Sequence, residues 1–265
     1  MTAKHVIDGI ASLAGDRQIY IRFNLQDGGV DFLATDAGDW KSVPPEVAAI
    51  DVAVLPWPVT ENPASFRVVP VVPNFVTDEL IAKEGIGPGD DLFLSGLFVQ
   101  HYGAQRNAPI VRMGNIAAMP GEPVQTNLGA MRAYLIESRS VGGLSGSPVF
   151  VEVDPLRSMV VEPFGGTVKS TSGHLRRLFF LLGVMHGHWD GEYALGDGAR
   201  PLSEVVNMGI AIVVPAQSIL QVLKLPDLVA DRRAREELRR QQKLPPSDLT
   251  HPDGSEELGK FEELT

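Results

Sequence analysis

The chain has 265 residues, 44% of them hydrophobic, enough to bury a substantial core and in the range where one large or two small β domains are expected. Its net charge of −10 argues against a nucleic-acid or anionic-membrane surface as main partner, and the absence of cysteine excludes a disulfide framework. No apolar run is long enough to span a bilayer and the first residues do not read as a signal peptide, while 27 glycines and 20 prolines suit many turns between short strands.

From the N-terminus, Met1-Thr2-Ala3-Lys4-His5-Val6 carries the first histidine. Ile19, Ile21, Phe23 and Leu25 alternate with Tyr20, Arg22 and Asn24, the period of a strand with one buried face, and Gln26 to Gly29 turns it. Asp31 to Trp40 reads as polar turn sequence. Val47 to Leu55 is apolar apart from Asp51 and is expected to be a strand; a carboxylate inside such a run is costly unless hydrogen-bonded. Phe66 to Val69 with Val71-Val72 predicts a further strand, stopped by Pro73.

Thr77 to Lys83 predicts a short capped helix or an irregular linker, and Gly85 to Gly89 with Pro88 breaks the chain, so a domain boundary is expected there. Leu92–Leu94, Ile110–Arg112, Ala133–Ile136, Val149–Val151 and Leu178–Val184 predict strands of a second unit, closed by a strand over Gly209–Pro215 and a helix over Ala216–Leu223. Residues 1–88, 89–225 and 226–265 are therefore the expected divisions. In the last, Asp231 to Lys243 suits a solvated helix, and Pro245 to Thr265 has the composition of a disordered tail.

The chemistry centres on Val141-Gly142-Gly143-Leu144-Ser145-Gly146-Ser147-Pro148. Gly143 and Gly146 permit backbone conformations closed to residues with a Cβ, so that successive N–H groups can converge on one point as an oxyanion hole. A serine hydroxyl is a poor nucleophile until a base activates it. His5 and Asp51 are the candidate base and its orienting carboxylate. Asp8, Asp36 and Asp39 lie in polar, turn-like contexts and are expected on the surface; Asp36 or Asp39 could replace Asp51 only if the Val47–Leu55 strand were wrong.

Thr-Ala-x-His, Asp-x-Ala-x-Leu and Gly-x-Ser-Gly-x-Pro, in that order, resemble the chymotrypsin/trypsin-like serine peptidases. The order His, Asp, Ser differs from that of α/β-hydrolases and of subtilisins. The resemblance implies an all-β fold of two six-stranded antiparallel β-barrels followed by a short helix, here with a charged tail. It implies acyl-enzyme hydrolysis of a polypeptide substrate without cofactor or metal. Ser145 is then the nucleophile, His5 the base and Asp51 its orienter, with the Gly143 and Ser145 amides as the oxyanion hole. Arg139, Ser140, Met185, His186 and Gly187 would line the substrate site, the last three on the strand that pairs with substrate backbone.

His186-Gly187-His188-Trp189-Asp190-Gly191-Glu192 also offers metal-ligand side chains, but the groove wall is the preferred reading. Leu144 stands where trypsin-like zymogens carry an aspartate that pairs with a newly cut N-terminus, so that activation route is not expected. The lack of cysteine resembles bacterial members, and either a cytoplasmic or a secreted protein is compatible with the sequence. The family has several dozen residues before its Thr-Ala-x-His, so the first barrel is expected to be incomplete. The chain alone is expected to be weakly stable and nearly inactive, with in-frame extension restoring both. The competing expectation is a catalytically silent trypsin-like domain that binds peptides or partner proteins.

Overall fold

The structure is a computed structural model that describes residues 1–13, 18–26, 28–57, 64–65, 69–126, 128–138, 143–154, 159–160, 169–170, 178–195 and 202–241. The N-terminal part holds helix α1 (Lys4–Ala11), strands β1 (Ile19–Leu25), β2 (Val30–Thr35) and β3 (Ala64–Ser65), and helices α2 (Val71–Asn74) and α3 (Asp78–Glu84). Strands β4 (Asp91–Leu97), β5 (Pro109–Ala118), β6 (Val124–Thr126), β7 (Gly129–Met131), β8 (Tyr134–Glu137) and β9 (Pro148–Val153) follow. The chain continues through β10 (Met159–Val160), β11 (Lys169–Ser170), β12 (Leu178–Leu195), β13 (Leu202–Pro215), α4 (Ala216–Leu223) and α5 (Pro226–Gln241).

Six antiparallel strands close a barrel in the order β12-β13-β8-β5-β4-β9. Alternation explains it: Leu92 and Leu94, Val149, Val151 and Val153, and Phe180 and Leu182 turn one side of their strands inward, where they meet Ile116, Ile136 and Val213. Over residues 180–185 and 211–215, β12 and β13 are buried on their other face as well. There Leu181, Val184, Ile212 and Val214 meet Ile50, Val52 and Phe75 from the N-terminal part and Ile219 and Val222 of α4. Double-sided burial is why these stretches read as continuous apolar runs. Each fully buried Leu- or Ile-sized side chain contributes roughly 1.5–3 kcal/mol, so this second interface holds the N-terminal part on the barrel.

Before Gly89 the described residues form one three-stranded sheet, β2-β1-β3, and no closed barrel. Asp31 to Thr35 lies in a strand rather than turn sequence, because β2 pairs with β1 from Ile19↔Thr35 to Asn24↔Val30 and the Thr35 hydroxyl donates to the Ile19 carbonyl, 3.0 Å. The strand expected over Val47–Leu55 is not formed. The segment makes only single bridges, Thr2↔Ala53 and Lys41↔Val54, and Pro44, Pro45 and Pro56 around it lack the N–H a ladder needs. Val71-Val72 opens a helical turn instead of a strand, since Pro73 within a first turn forfeits no intrahelical bond; the Phe66–Val68 part of that expectation lies outside the described residues.

Helix α3 begins where Thr77 accepts from the Leu80 amide, 3.3 Å, and ends at Gly85. Helix α5 opens the segment expected as a tail, seated by the buried Leu228 and carrying Asp231–Arg235 and Glu236–Arg240 ion pairs one turn apart. Residues 242–265 lie outside the described residues. No helix among the described residues is long and apolar enough to cross a membrane.

Candidate active site

His5 sits in the first turn of α1, a helix the alternation-based reading did not foresee. Ala3 at its N-cap offers no side-chain acceptor, and Asp51 supplies one from elsewhere in the chain. Asp51 Oδ1 accepts the His5 backbone N–H at 2.8 Å while Oδ2 accepts from His5 Nδ1 at 2.7 Å. A carboxylate against the exposed amides of a helix start is favoured by the helix dipole, so one group caps α1 and orients the imidazole. Thr2 brings the two segments into register by exchanging backbone hydrogen bonds with Ala53, 2.9 Å each way.

The serine loop is fixed on three sides. Leu144, 1% exposed, anchors it in the barrel core. The Gly146 amide donates to the Met185 carbonyl at 2.7 Å, and the Met185 amide donates to the Ser147 carbonyl at 2.9 Å. Gly146 has φ +82°, and a Cβ there would stand 2.3 Å from Thr2 Oγ1 and 2.8 Å from the Ala3 nitrogen. This close approach seats the Thr-Ala-x-His segment directly on the serine loop. Gly143 also has positive φ, +93°, a conformation that favours glycine.

Asp51 is 1% exposed and serves a second imidazole. His186 Nδ1 lies 2.5 Å from Asp51 Oδ2, and the two histidine rings meet edge to face with centroids 5.3 Å apart. Burial works to raise the Asp51 carboxyl, but hydrogen bonds from His186 and from the ring and amide of His5 outweigh it and hold the group well below the usual carboxylate range. The His5 imidazole is raised above its ordinary value, chiefly by its hydrogen bond to Asp51, against a smaller opposing effect of burial. An ionised carboxylate only accepts, so both Nδ1 atoms carry the shared protons and His5 keeps Nε2 free to act as a base. The Ser145 hydroxyl donates to the His186 carbonyl at 3.0 Å.

His5, Asp51 and His186 also place one potential metal-ligand atom each within 4.8 Å of one another. Tetrahedral ligands of a zinc-sized ion stand about 3.3 Å apart at metal–ligand distances of about 2.0–2.1 Å. The 2.5 and 2.7 Å separations at Asp51 are those of hydrogen bonds.

The residues inferred from sequence are distributed unevenly. His5 and Asp51 meet directly, and the loop that carries Gly143 and Ser145 packs on the same N-terminal segment where Gly146 approaches Thr2; among the described residues no hydrogen bond joins Ser145 to His5, and the Ser145 hydroxyl is held by the His186 carbonyl. Met185 was expected in the substrate groove, yet its side chain is fully buried in the barrel interior. His186 was expected there too, but the residue is 8% exposed and its ring is turned onto Asp51. Gly187 is half-buried beside it, and Arg139 and Ser140 lie outside the described residues. Asp8, Asp36 and Asp39 are exposed; Asp8 pairs with Lys4, and Asp36 and Asp39 cap a short turn. The link from His186 to Asp51 was missed, although one signal existed: each is a polar residue inside an apolar run, and buried polar groups need partners.

No protein-family model and no curated protein matches the chain. Among solved structures, the crystal structure of the MamO protease domain from Magnetospirillum magneticum (apo form) is similar at a TM-score of 0.42 and 17% identity, covering 83% of this chain and 79% of that one.

Proposed function

We propose that the protein is a serine endopeptidase of the trypsin-like type, hydrolysing peptide bonds through an acyl-enzyme without a cofactor, on a two-barrel architecture of which residues 1–88 supply the first part. The observation that carries this reading is the pair of contacts from Asp51 to the ring and backbone of one residue, His5, with the Ser145 loop packed against the same N-terminal segment. A carboxylate so placed fixes the ring plane and the Nε2 lone pair, and stabilises the imidazolium that forms when the serine proton is taken. Ser145 attacks the scissile carbonyl as His5 accepts its proton. The amides of Gly143 and Ser145 donate to the oxyanion, and His5 returns the proton to the leaving amine.

A second reading, a catalytically silent domain that binds peptides, is favoured by one contact: the Ser145 hydroxyl rests on the His186 carbonyl. Catalytic hydrogen bonds in unliganded sites are often loose and tighten on substrate binding, so the enzyme reading retains preference. A fluorophosphonate probe separates the two, because covalent capture requires an activated hydroxyl. The enzyme reading predicts labelling that maps to Ser145 by peptide mass and disappears in Ser145→Ala. A folded, unlabelled wild-type chain would establish the silent domain.

A further inference from the structure

Strand β12 carries an irregularity that the triad alone does not use. Its register against β13 runs Met185↔Val213 and then Gly187↔Ile212, so His186 is an extra residue with no opposite partner. Such a bulge takes a residue out of the ladder and re-aims its side chain. Both groups freed at His186 are engaged at the serine site: the ring reaches Asp51 at 2.5 Å and the carbonyl accepts from Ser145 at 3.0 Å. The preceding residue, Met185, clamps Gly146 and Ser147 through its backbone.

We propose that His186 is a positioning residue of the serine site, its ring holding the Asp51 carboxylate for His5 and its carbonyl holding the Ser145 hydroxyl at rest. The inference rests on the peptidase reading and deepens it. Asp51 Oδ2 is shared by two N–H donors, so its charge is divided between them. With the His186 donor removed, the carboxylate faces His5 alone, favours the His5 imidazolium more strongly and loses a restraint on its plane. The other ionisable groups around His5 are Asp8 on its own helix, which raises it further, and Lys4, which pairs with Asp8. These stay in place when His186 is changed.

The test compares His186→Leu, which has no donor, with His186→Asn, whose amide nitrogen can stand near the position of Nδ1. The second-order rate of fluorophosphonate labelling is measured against pH in the full chain. His186→Leu is expected to label roughly 10- to 100-fold more slowly, with its acid midpoint moved to higher pH, because displacing a catalytic group by about 1 Å costs on that order. His186→Asn is expected to restore the midpoint and most of the rate. A wild-type midpoint in His186→Leu, or an His186→Asn variant with a shifted midpoint, would overturn the proposal. Should His186→Leu not fold, the His186→Asn midpoint decides alone. The His5 imidazole is also titrated by NMR in each variant, a readout independent of turnover. If wild type does not label, the peptidase reading fails, whereas the positioning role stands or falls on whether the His5 titration moves in His186→Leu and returns in His186→Asn.

Discussion

Asp51 meets His5 at two points, the ring nitrogen at 2.7 Å and the backbone amide at 2.8 Å, so the orientation of the imidazole and the start of α1 depend on one carboxylate. Asp51→Asn keeps the shape but presents an amide to at least one N–H donor. It is expected to lower turnover by roughly three to four orders of magnitude by disfavouring the productive tautomer. Steady-state rates on a peptide or ester substrate check this, with circular dichroism to show that the fold is retained.

On the proposed mechanism, the raised His5 value would set the pH dependence of activity. Only the neutral imidazole can take the serine proton, so activity is low when His5 is charged and rises as pH passes through its folded value. That midpoint is expected above the ordinary 6.5 of a free histidine, because the hydrogen bond to Asp51 favours the charged ring. A kcat/KM profile from about pH 5 to 9 measures it, and a flat profile would remove His5 from the role of base.

Stability carries the complementary signature. For Asp51, whose folded value is depressed, the stabilisation is fully present above the unfolded carboxylate value of about 3.9 and is lost as pH falls toward the folded value. For His5, whose value is raised, the stabilisation is present below about 6.5 and is lost as pH rises through the folded value. Denaturant unfolding at a series of pH values should therefore show a loss below about pH 4 that is smaller in Asp51→Asn than in wild type.

Gly146 is where the N-terminal segment and the serine loop touch. Gly146→Ala is strained twice, by φ +82° and by a Cβ only 2.3 Å from Thr2 Oγ1. A loss of at least about 1–3 kcal/mol is expected, together with a fall in probe labelling as Thr2 and Ala3 are pushed away. Gly87→Ala is the control: its added Cβ meets nothing within 4 Å and its φ is ordinary, so unfolding and labelling should stay near wild type.

Where local chemistry decides the outcome, the sequence was readable. Thr77 and Gly85 bracket α3, the strands of the closed barrel follow their apolar alternation, and α4 occupies Ala216–Leu223 as its pattern indicates. The motif residues His5 and Asp51 meet, His5 on a helix and Asp51 on a bridged segment rather than the expected strand. What could not be read depends on long-range geometry. Val47 to Leu55 is apolar because it covers the outer face of β12 and β13, and burial alone does not separate that from a strand. Met185 and His186, both expected in the groove, are instead buried, Met185 in the barrel core and His186 against Asp51, since the bulge at His186 takes its side chain out of the alternation.

The central claim, that Ser145 and His5 form one catalytic unit oriented by Asp51, is tested most directly by turnover of Ser145→Ala, His5→Ala and the double variant in the full chain. Members of a triad act together, so each single change is expected to lower kcat by roughly a million-fold, and the double change by little more than either alone. The folded state should be unchanged by circular dichroism. Near wild-type hydrolysis in either single variant, or losses that multiply in the double, would contradict it.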